Sequence, residues 1–499
     1  MNVKYNDNDI KSILDYSSLL VGKTFLDVVN EAVLDDETKK EIIEKYSRPN
    51  FKGGLGILLE ELYFGYKANS NQMPDFSKVG IELKSSPYEY RTDGSLRAGE
   101  RLSVTMVPHD RPIENVFYNS DVWHKIEKLL LIYYLRDRTL ESRLNCHIDY
   151  SYLFTPPVED LKIIIDDFNK IVEKVINGKA HEISESDTLY LGACTKGATA
   201  SKSTQPQFYG EHIPARARNF CLKQSYMTYV LNNYIVPNIQ TCEYESIIKE
   251  DLSEETFEDY VQNKINRYVG KTDKYLCELF EREYNNNKAQ WIDLAYRMLG
   301  IKSNRAEEFV KANIVVKAIR IEDDGTINEN MSFPVFKYKE IINEEWEDSA
   351  LHNYFDETRF LFVVFKSNGT NYVLKGCQFW NMPYEDLENE VKTGWYKVVD
   401  TIKNGVELVV TTQKNGKAVG RNNVIKESEH RIIHVRPHAQ KSFYKFNDGT
   451  IIGTGRQSDA NELPDGRWMT DYCFWINKKY ILSQIKDEIK CWSYKLFSV

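Results

Sequence analysis

Four stretches of the chain carry a regular pattern of apolar and polar positions. In ILLEELYFG, residues 57–65, apolar side chains recur at helical spacing and the closing glycine is a helix stop. VGIELKS, residues 79–85, alternates residue by residue, as a strand with one buried face does. LLLIYYL, residues 129–135, is a short apolar run of β type and reads as a central strand. DLKIIIDDFNKIVEKVINGK, residues 160–179, is amphipathic with a helical period and runs into Asn-Gly, a helix end. Helices and strands mixed in this way predict an α/β or α+β class, with a central mixed sheet flanked by helices.

The pattern occurs twice. LLVGKTFLDVV, with Val21 to Thr24, matches RYVGKTDKYLCEL, with Val269 to Thr272. Further on, Gly65 meets Gly300, Phe76 meets Phe309 and Lys84 meets Lys317. IEKLLLIYY faces ETRFLFVVF, and Glu159-Asp160-Leu161 faces Glu385-Asp386-Leu387. RNFCLKQSYM faces YCFWINKKYI, which sets Phe220 against Phe474. Collinear matches of this length predict a duplicated domain. The expected division is a first copy over 1–237, a polar linker over 238–253 and a second copy over 254–499.

Composition narrows the class. A chain of 499 residues with 42% hydrophobic content has room for several domains with real cores. No apolar run is long enough to span a bilayer, and MNVKYNDNDI lacks the basic start and apolar stretch of a secretory signal. The eight cysteines form no C-x-x-C pair, which speaks against a zinc knuckle or a disulfide framework and for a reducing cytoplasm. The net charge of −9 argues against a nucleic-acid binder when taken whole. The decisive quantity is local: between Lys196 and Lys223 stand Lys196, Lys202, Arg216, Arg218 and Lys223 against one acid, Glu211.

The candidate chemistry lies in MPDFSKVGIELKSS, residues 73–86. On a strand Glu82 and Lys84 project together, while Ile81 and Leu83 face the core. Asp75 stands upstream, behind a turn, within reach of the same point. Two carboxylates with open positions suit Mg²⁺, a hard cation that prefers oxygen ligands and keeps waters. Lys84 would stand beside the attacking water and the charge that builds on a phosphate. Glu60 or Glu61, on the helix just upstream, and Lys125, in DVWHKIEK, would add one acid and one more cation. Three acids and two lysines suit phosphodiester hydrolysis.

KGGLGILLEELYFGYKANSNQMPDFSKVGIELKSSP, followed by SDVWHKIEKLLLIYY and LYLGACTKGATASKS, resembles the MutH/Sau-type endonucleases. The resemblance covers the first copy for the mismatch-repair nickase and essentially the whole chain for the two-copy restriction enzymes. It implies tandem restriction-endonuclease-like domains, Mg²⁺-dependent hydrolysis and recognition of 5′-GATC with a break before G. By position, Asp75 and Glu82 resemble the metal ligands, Lys84 the water-activating lysine and Lys125 an auxiliary lysine. Counting from Gly56 selects Glu60 as the helix glutamate, and counting back from Gly65 selects Glu61. The chain has one residue more between those glycines than the MutH pattern, and Glu60 is preferred. GACTKGATASK resembles the base-reading loop, with Lys196 on a basic position, although Cys194 and Thr195 replace the family's Arg-Pro pair. RNFCLK resembles a segment near the DNA, making Lys223 a phosphate-contact candidate.

The second copy reads as disarmed. Glu82 becomes Val315, which cannot ligate a metal; Asp75 becomes Glu308, Glu60 and Glu61 become Ala295 and Tyr296, and Lys125 faces Asp356. IIHVRPHAQKS does carry an Arg-Pro pair, so Arg436, Pro437 and His438 are DNA-binding candidates, arginine being the commonest reader of guanine edges. Pro437 breaks any helix that would join His434 and His438 into a zinc pair. The expected function is a bacterial, cytoplasmic type II restriction endonuclease whose second copy binds another GATC as effector. Its expected partners are GATC duplex, a second chain through DNA looping, and a GATC methyltransferase in the same cell. A strand-nicking repair enzyme and a non-catalytic DNA-binding regulator are the alternatives, distinguished by nicked products and by binding without cleavage.

Overall fold

The computed structural model describes residues 5–48, 53–67, 73–91, 94–137, 139–195, 204–236, 244–249, 252, 255–285, 287–327, 330–415 and 418–490. The chain divides into two compact units: unit 1, Met1–Thr256 with Arg305–Ile314, and unit 2, Phe257–Asn304 with Val315–Val499. No helix among the described residues is long and apolar enough to cross a membrane.

Unit 1 is built on a four-stranded mixed sheet. Strand β1 (Glu82–Tyr90) pairs antiparallel with β2 (Leu96–Ala98). After β3 (Leu102–Met106), the chain forms the helix Asp121–Ile126 and then β4 (Leu129–Leu135), which lies parallel to β1 with Glu82 opposite Leu129. The first five residues of β4 are buried, as its unbroken apolar run requires of a strand covered on both faces. Strand β5 (Ile148–Phe154) closes the sheet antiparallel to β4. A second sheet joins β3 and β6 (Leu191–Thr195) to either side of β7 (Arg218–Leu222), all antiparallel. The amphipathic helix Val158–Ile176 buries Ile163, Ile164, Phe168, Ile171, Val172 and Val175. Ile81, Leu83, Leu130, Ile132, Phe64 and Phe76 belong to one core cluster. Alternation along β1 therefore turns Glu82 and Lys84 away from that cluster.

Unit 2 repeats the plan. Strand β8 (Ile314–Ile321) neighbours β10 (Arg359–Ser367), which pairs with β11 (Tyr372–Trp380). Strand β9 (Met331–Val335) and β12 (Ile433–Pro437) flank β13 (Tyr472–Ile476). The duplication reaches individual hydrogen bonds. The Gly22 amide donates to Ile148 O at 2.8 Å and the Ile148 amide to Lys23 O at 2.9 Å; Gly270 and Leu374 do the same with Leu374 and Lys271, both at 2.9 Å. Thr24 and Thr272 each cap the helix that follows. Gly65 and Gly300 each end a helix at φ near 75° and 79°, a left-handed conformation that a side chain disfavours. Tyr226 donates to Asp160 at 3.0 Å, and Tyr480 to Asp386 at 2.7 Å.

One segment departs from the division that the repeat implies. The helix Glu307–Ala312 belongs to the second copy in sequence, yet it packs within unit 1. The Lys311 ammonium, 1% exposed, donates to Asp160 at 2.8 Å and sits over the Tyr229 ring. A pair buried this completely makes removal of either partner costly, about 3–5 kcal/mol.

Candidate active site

The site grows from a tight turn. The Phe76 amide donates to Ile81 O at 2.9 Å, and these two residues form an antiparallel bridge. The reversal carries Asp75 back alongside the start of β1, where its Oδ2 accepts from the Leu83 amide at 2.9 Å. The seven-residue spacing from Asp75 to Glu82 is thus the length of one closed turn.

Glu82 is the centre of the cluster. It is 1% exposed, and its Oε1 accepts from Lys84 Nζ at 2.7 Å and Lys125 Nζ at 3.1 Å. Lys84 shares the face of β1. Lys125 arrives from the helix Asp121–Ile126, whose start Ser120 caps by accepting from the Trp123 amide. Glu82 Oε2 is sealed from solvent and has no partner among the described residues. A buried carboxylate oxygen left unbonded is costly and calls for a positive partner.

Glu60 and Asp75 complete the acidic group. Burial first, and then the charge of Asp75, push the Glu60 carboxyl up to about 7, with Lys84 opposing. Burial and the Glu82 charge raise Asp75 to about 6, against the Leu83 amide and the two lysines. Glu61 points elsewhere: its Oε2 accepts from the Tyr46 hydroxyl at 2.9 Å. The reason is local. The helix Gly54–Leu58 continues as a π-helical turn over Leu59–Phe64. Such a turn absorbs one extra residue, and these turns gather at functional sites. Counting in α-helical phase through it gives the wrong face for one of the two glutamates.

Tyr66 is a neighbour that the pattern does not single out. Its amide donates to Glu60 O at 3.0 Å, and its ring meets Phe76 edge-on at 5.6 Å. Its hydroxyl is buried without a partner among the described residues, and burial together with Asp75, Glu60 and Glu82 raises it above the usual range. Its position just past the helix-stopping Gly65 is the available signal in the sequence.

Asp75, Glu82 and the unbonded Oε2 fit a divalent cation. Among the described residues no group of three or more His, Cys, Asp or Glu side chains stands ready to hold an ion. Two carboxylates would leave the other positions to water and phosphate oxygens, the usual arrangement for Mg²⁺ at phosphate chemistry.

The DNA-contact candidates divide. Lys196 lies outside the described residues, as does Lys202. Lys223, the expected phosphate contact, is 2% exposed and its ammonium donates to Thr188 O. Arg218 is likewise buried and donates to Ala193 O at 2.8 Å. In unit 2, Arg436 stacks its guanidinium 4.2 Å from the Trp475 ring centre, with Nε buried and unbonded among the described residues. Pro437 and His438 are exposed at the end of β12, and the His438 amide donates to Asp471 O at 2.8 Å.

The duplicated site has lost its acids by two routes. Val315, Ala295 and Tyr296 carry no carboxylate, and Glu308 is committed elsewhere. Its carboxylate, 4% exposed, accepts from the amides of Ile247 and Ile248 and from the Ser246 hydroxyl, at 2.7–3.1 Å. Glu308 is thereby a carboxylate that staples the loop at 246–248.

Glu82 and Lys84 at the start of β1, Asp75 from the turn before it and Lys125 from the helix Asp121–Ile126 meet beside the mixed sheet of unit 1. The sequence model described as "DNA mismatch repair enzyme MutH" matches residues 64–167. The MutH mismatch-repair protein of Actinobacillus pleuropneumoniae is 28% identical over 189 residues, 37% of this chain and 79% of that protein. That of Vibrio vulnificus is 26% identical over 228 residues, 44% of this chain and 92% of that protein. The type II restriction enzyme Sau3AI of Staphylococcus aureus is 34% identical over 463 residues, 87% of this chain and 93% of that enzyme. The chain belongs to the Sau3AI family of type II restriction enzymes and is a site-specific deoxyribonuclease.

Proposed function

We propose that the chain cuts both strands of DNA at 5′-GATC, before the G, with Mg²⁺ held by Asp75 and Glu82. The observation that carries this reading is the unbonded, buried Oε2 of Glu82 beside an otherwise fully engaged Oε1. When bound, Mg²⁺ supplies Lewis-acid polarisation of the phosphodiester and lowers the cost of deprotonating water. The chain's own residues supply the rest. Lys84 and Lys125 hold Glu82 in place and set a positive field where the phosphate gains charge. Glu60, with its carboxyl near 7, takes up or releases a proton at neutral pH beside the cluster.

Unit 2 is the effector half in this reading. Without a carboxylate at position 315 it binds a second GATC and does not cut, with Arg436, Pro437 and His438 facing the bases. GATC is a palindrome, and one active unit cuts one strand per binding event. Cleavage of both strands then requires two chains on one site, which a second bound GATC brings together by looping the DNA. A methyltransferase acting on the same sequence protects the host.

Digestion of unmethylated plasmid with Mg²⁺, followed by sequencing of the ends, tests this directly. Linear fragments opening on GATC are expected, and two-site plasmids are cut faster than one-site plasmids. Persistent nicked circles would replace the restriction reading with strand nicking. Equal rates on the two plasmids would remove the looping step.

A further inference from the structure

We propose that Trp475 is a positioning residue of unit 2: its indole holds the Arg436 guanidinium flat, with the nitrogen edge free for the base edges of a GATC duplex. This role deepens the effector reading of unit 2 and rests on it for the identity of the ligand.

The platform is built into the sheet. Trp475 stands on the central strand β13, opposite Ser332 of β9 on one side and His434 of β12 on the other. His434 is itself fixed, its Nδ1 bonded to Asn477 Oδ1. Arg436 lies two residues beyond His434, and alternation along β12 turns it to the same face. There the guanidinium carbon sits 4.2 Å from the Trp475 ring centre. His438 Nδ1, just past the strand, lies 3.6 Å from the sulfur of Cys473, the residue opposite Arg436.

The indole is what holds the guanidinium. Its Nε is sealed from solvent without a partner, and no carboxylate or carbonyl bonds its terminal nitrogens among the described residues. Asp471, the acid just before β13, accepts from Asn461 Nδ2 instead. Arg282, Arg359 and Arg431 of the same unit each reach a carboxylate. An arginine is long and flexible, and ordering it on binding costs side-chain entropy. Stacking on an indole, the strongest of the aromatic platforms for a cation, orders it before DNA arrives. The stack covers the flat face of the guanidinium and leaves its edge for a bidentate contact with guanine.

Unit 1 lacks both parts. Leu191 pairs with Leu222 as Ile433 pairs with Ile476, so Cys194 and Cys221 take the places of Arg436 and Trp475. Both of those thiols are buried. The arginine and its platform are present together in one unit and absent together from the other.

The test uses the full chain in EDTA, so that DNA stays intact. A GATC duplex and a duplex of scrambled sequence are titrated calorimetrically into the wild type, Arg436→Ala, Trp475→Leu, Trp475→Phe and the double variant Arg436→Ala/Trp475→Leu. We expect two GATC duplexes per wild-type chain. Arg436→Ala should weaken the second at least about tenfold, the loss of one bidentate base contact. Trp475→Leu should weaken it roughly 5- to 10-fold and Trp475→Phe, which keeps a ring, less than about twofold. The double variant should bind no worse than Arg436→Ala, because the indole acts through the arginine. The scrambled duplex should bind all the proteins alike. Trp475→Met, whose flexible side chain fills the gap, replaces Trp475→Leu if that variant does not fold. Losses that add in the double variant, or unchanged GATC affinity without the indole, would overturn the positioning role and leave the effector reading standing. Equal weakening of the scrambled duplex would overturn base recognition by this pair. One duplex per wild-type chain would overturn the effector reading and the positioning role with it.

Discussion

The start of β1 and the start of β8 are the same scaffold with opposite contents. Both strands lie at the edge of a buried central strand, follow a glycine-stopped helix and present a lysine two positions past the critical residue. In β1 that residue is Glu82, clamped by two ammonium groups; in β8 it is Val315, and Lys317 has no such partner among the described residues. The difference teaches that the fold does not carry the chemistry. One carboxylate decides whether the lysine beside it is neutralised and whether a cation has a place to bind.

The comparison breaks most sharply at Glu82. Glu82→Gln, and likewise Asp75→Ala or Lys84→Ala, should lower the cleavage rate at least ~10³-fold while sparing most DNA binding, as loss of a transition-state charge does. Fragment yield and a gel shift on the same preparations check it. A step lower, Glu60→Gln should slow cleavage roughly 10- to 100-fold, whereas Glu61→Gln should change it less than about twofold, within the span of supporting groups. Equal effects would mean that the π-helical turn does not select between them.

The pH dependence is smaller in effect. A folded Glu60 near 7, against about 4.5 when exposed, binds its proton more tightly in the fold. That contribution is complete below about pH 4.5 and is lost as pH rises through about 7. The thermal midpoint of metal-free protein should therefore fall over this window, and fall less in Glu60→Gln, where the group stays neutral. A parallel decline in both proteins would contradict the placement of Glu60. Smallest of all is the reverse substitution. Val315→Glu should add no measurable cleavage in a Glu82→Gln chain, because Glu308 remains bonded to the loop at 246–248 and position 295 remains alanine.

Much of this was legible in the sequence, and the gaps have physical causes. Alternation in VGIELKS placed Glu82 and Lys84 together because strand geometry has a fixed period of two. The repeated Val-Gly-Lys-Thr motif marked the duplication, since each copy needs the same turn and cap. Helix phase left Glu60 and Glu61 open, because a π-helical turn adds a residue without any local signature. Lysines are ordinarily exposed, and the bond to the distant Thr188 carbonyl holds Lys223 inward. The fate of Glu308 depends on amides some sixty residues away, and that of Lys311 on Asp160 in the other copy. Long-range pairing of this kind leaves no periodic trace.

The most direct test of the division between the units is a single digestion. Full-length Glu82→Gln is incubated with Mg²⁺ and an unmethylated plasmid bearing two GATC sites, beside the wild type. Discrete fragments are expected from the wild type, and bound but intact DNA from the variant. Nicked or linear product from the variant at a rate near that of the wild type would show that the cut does not depend on the β1 site.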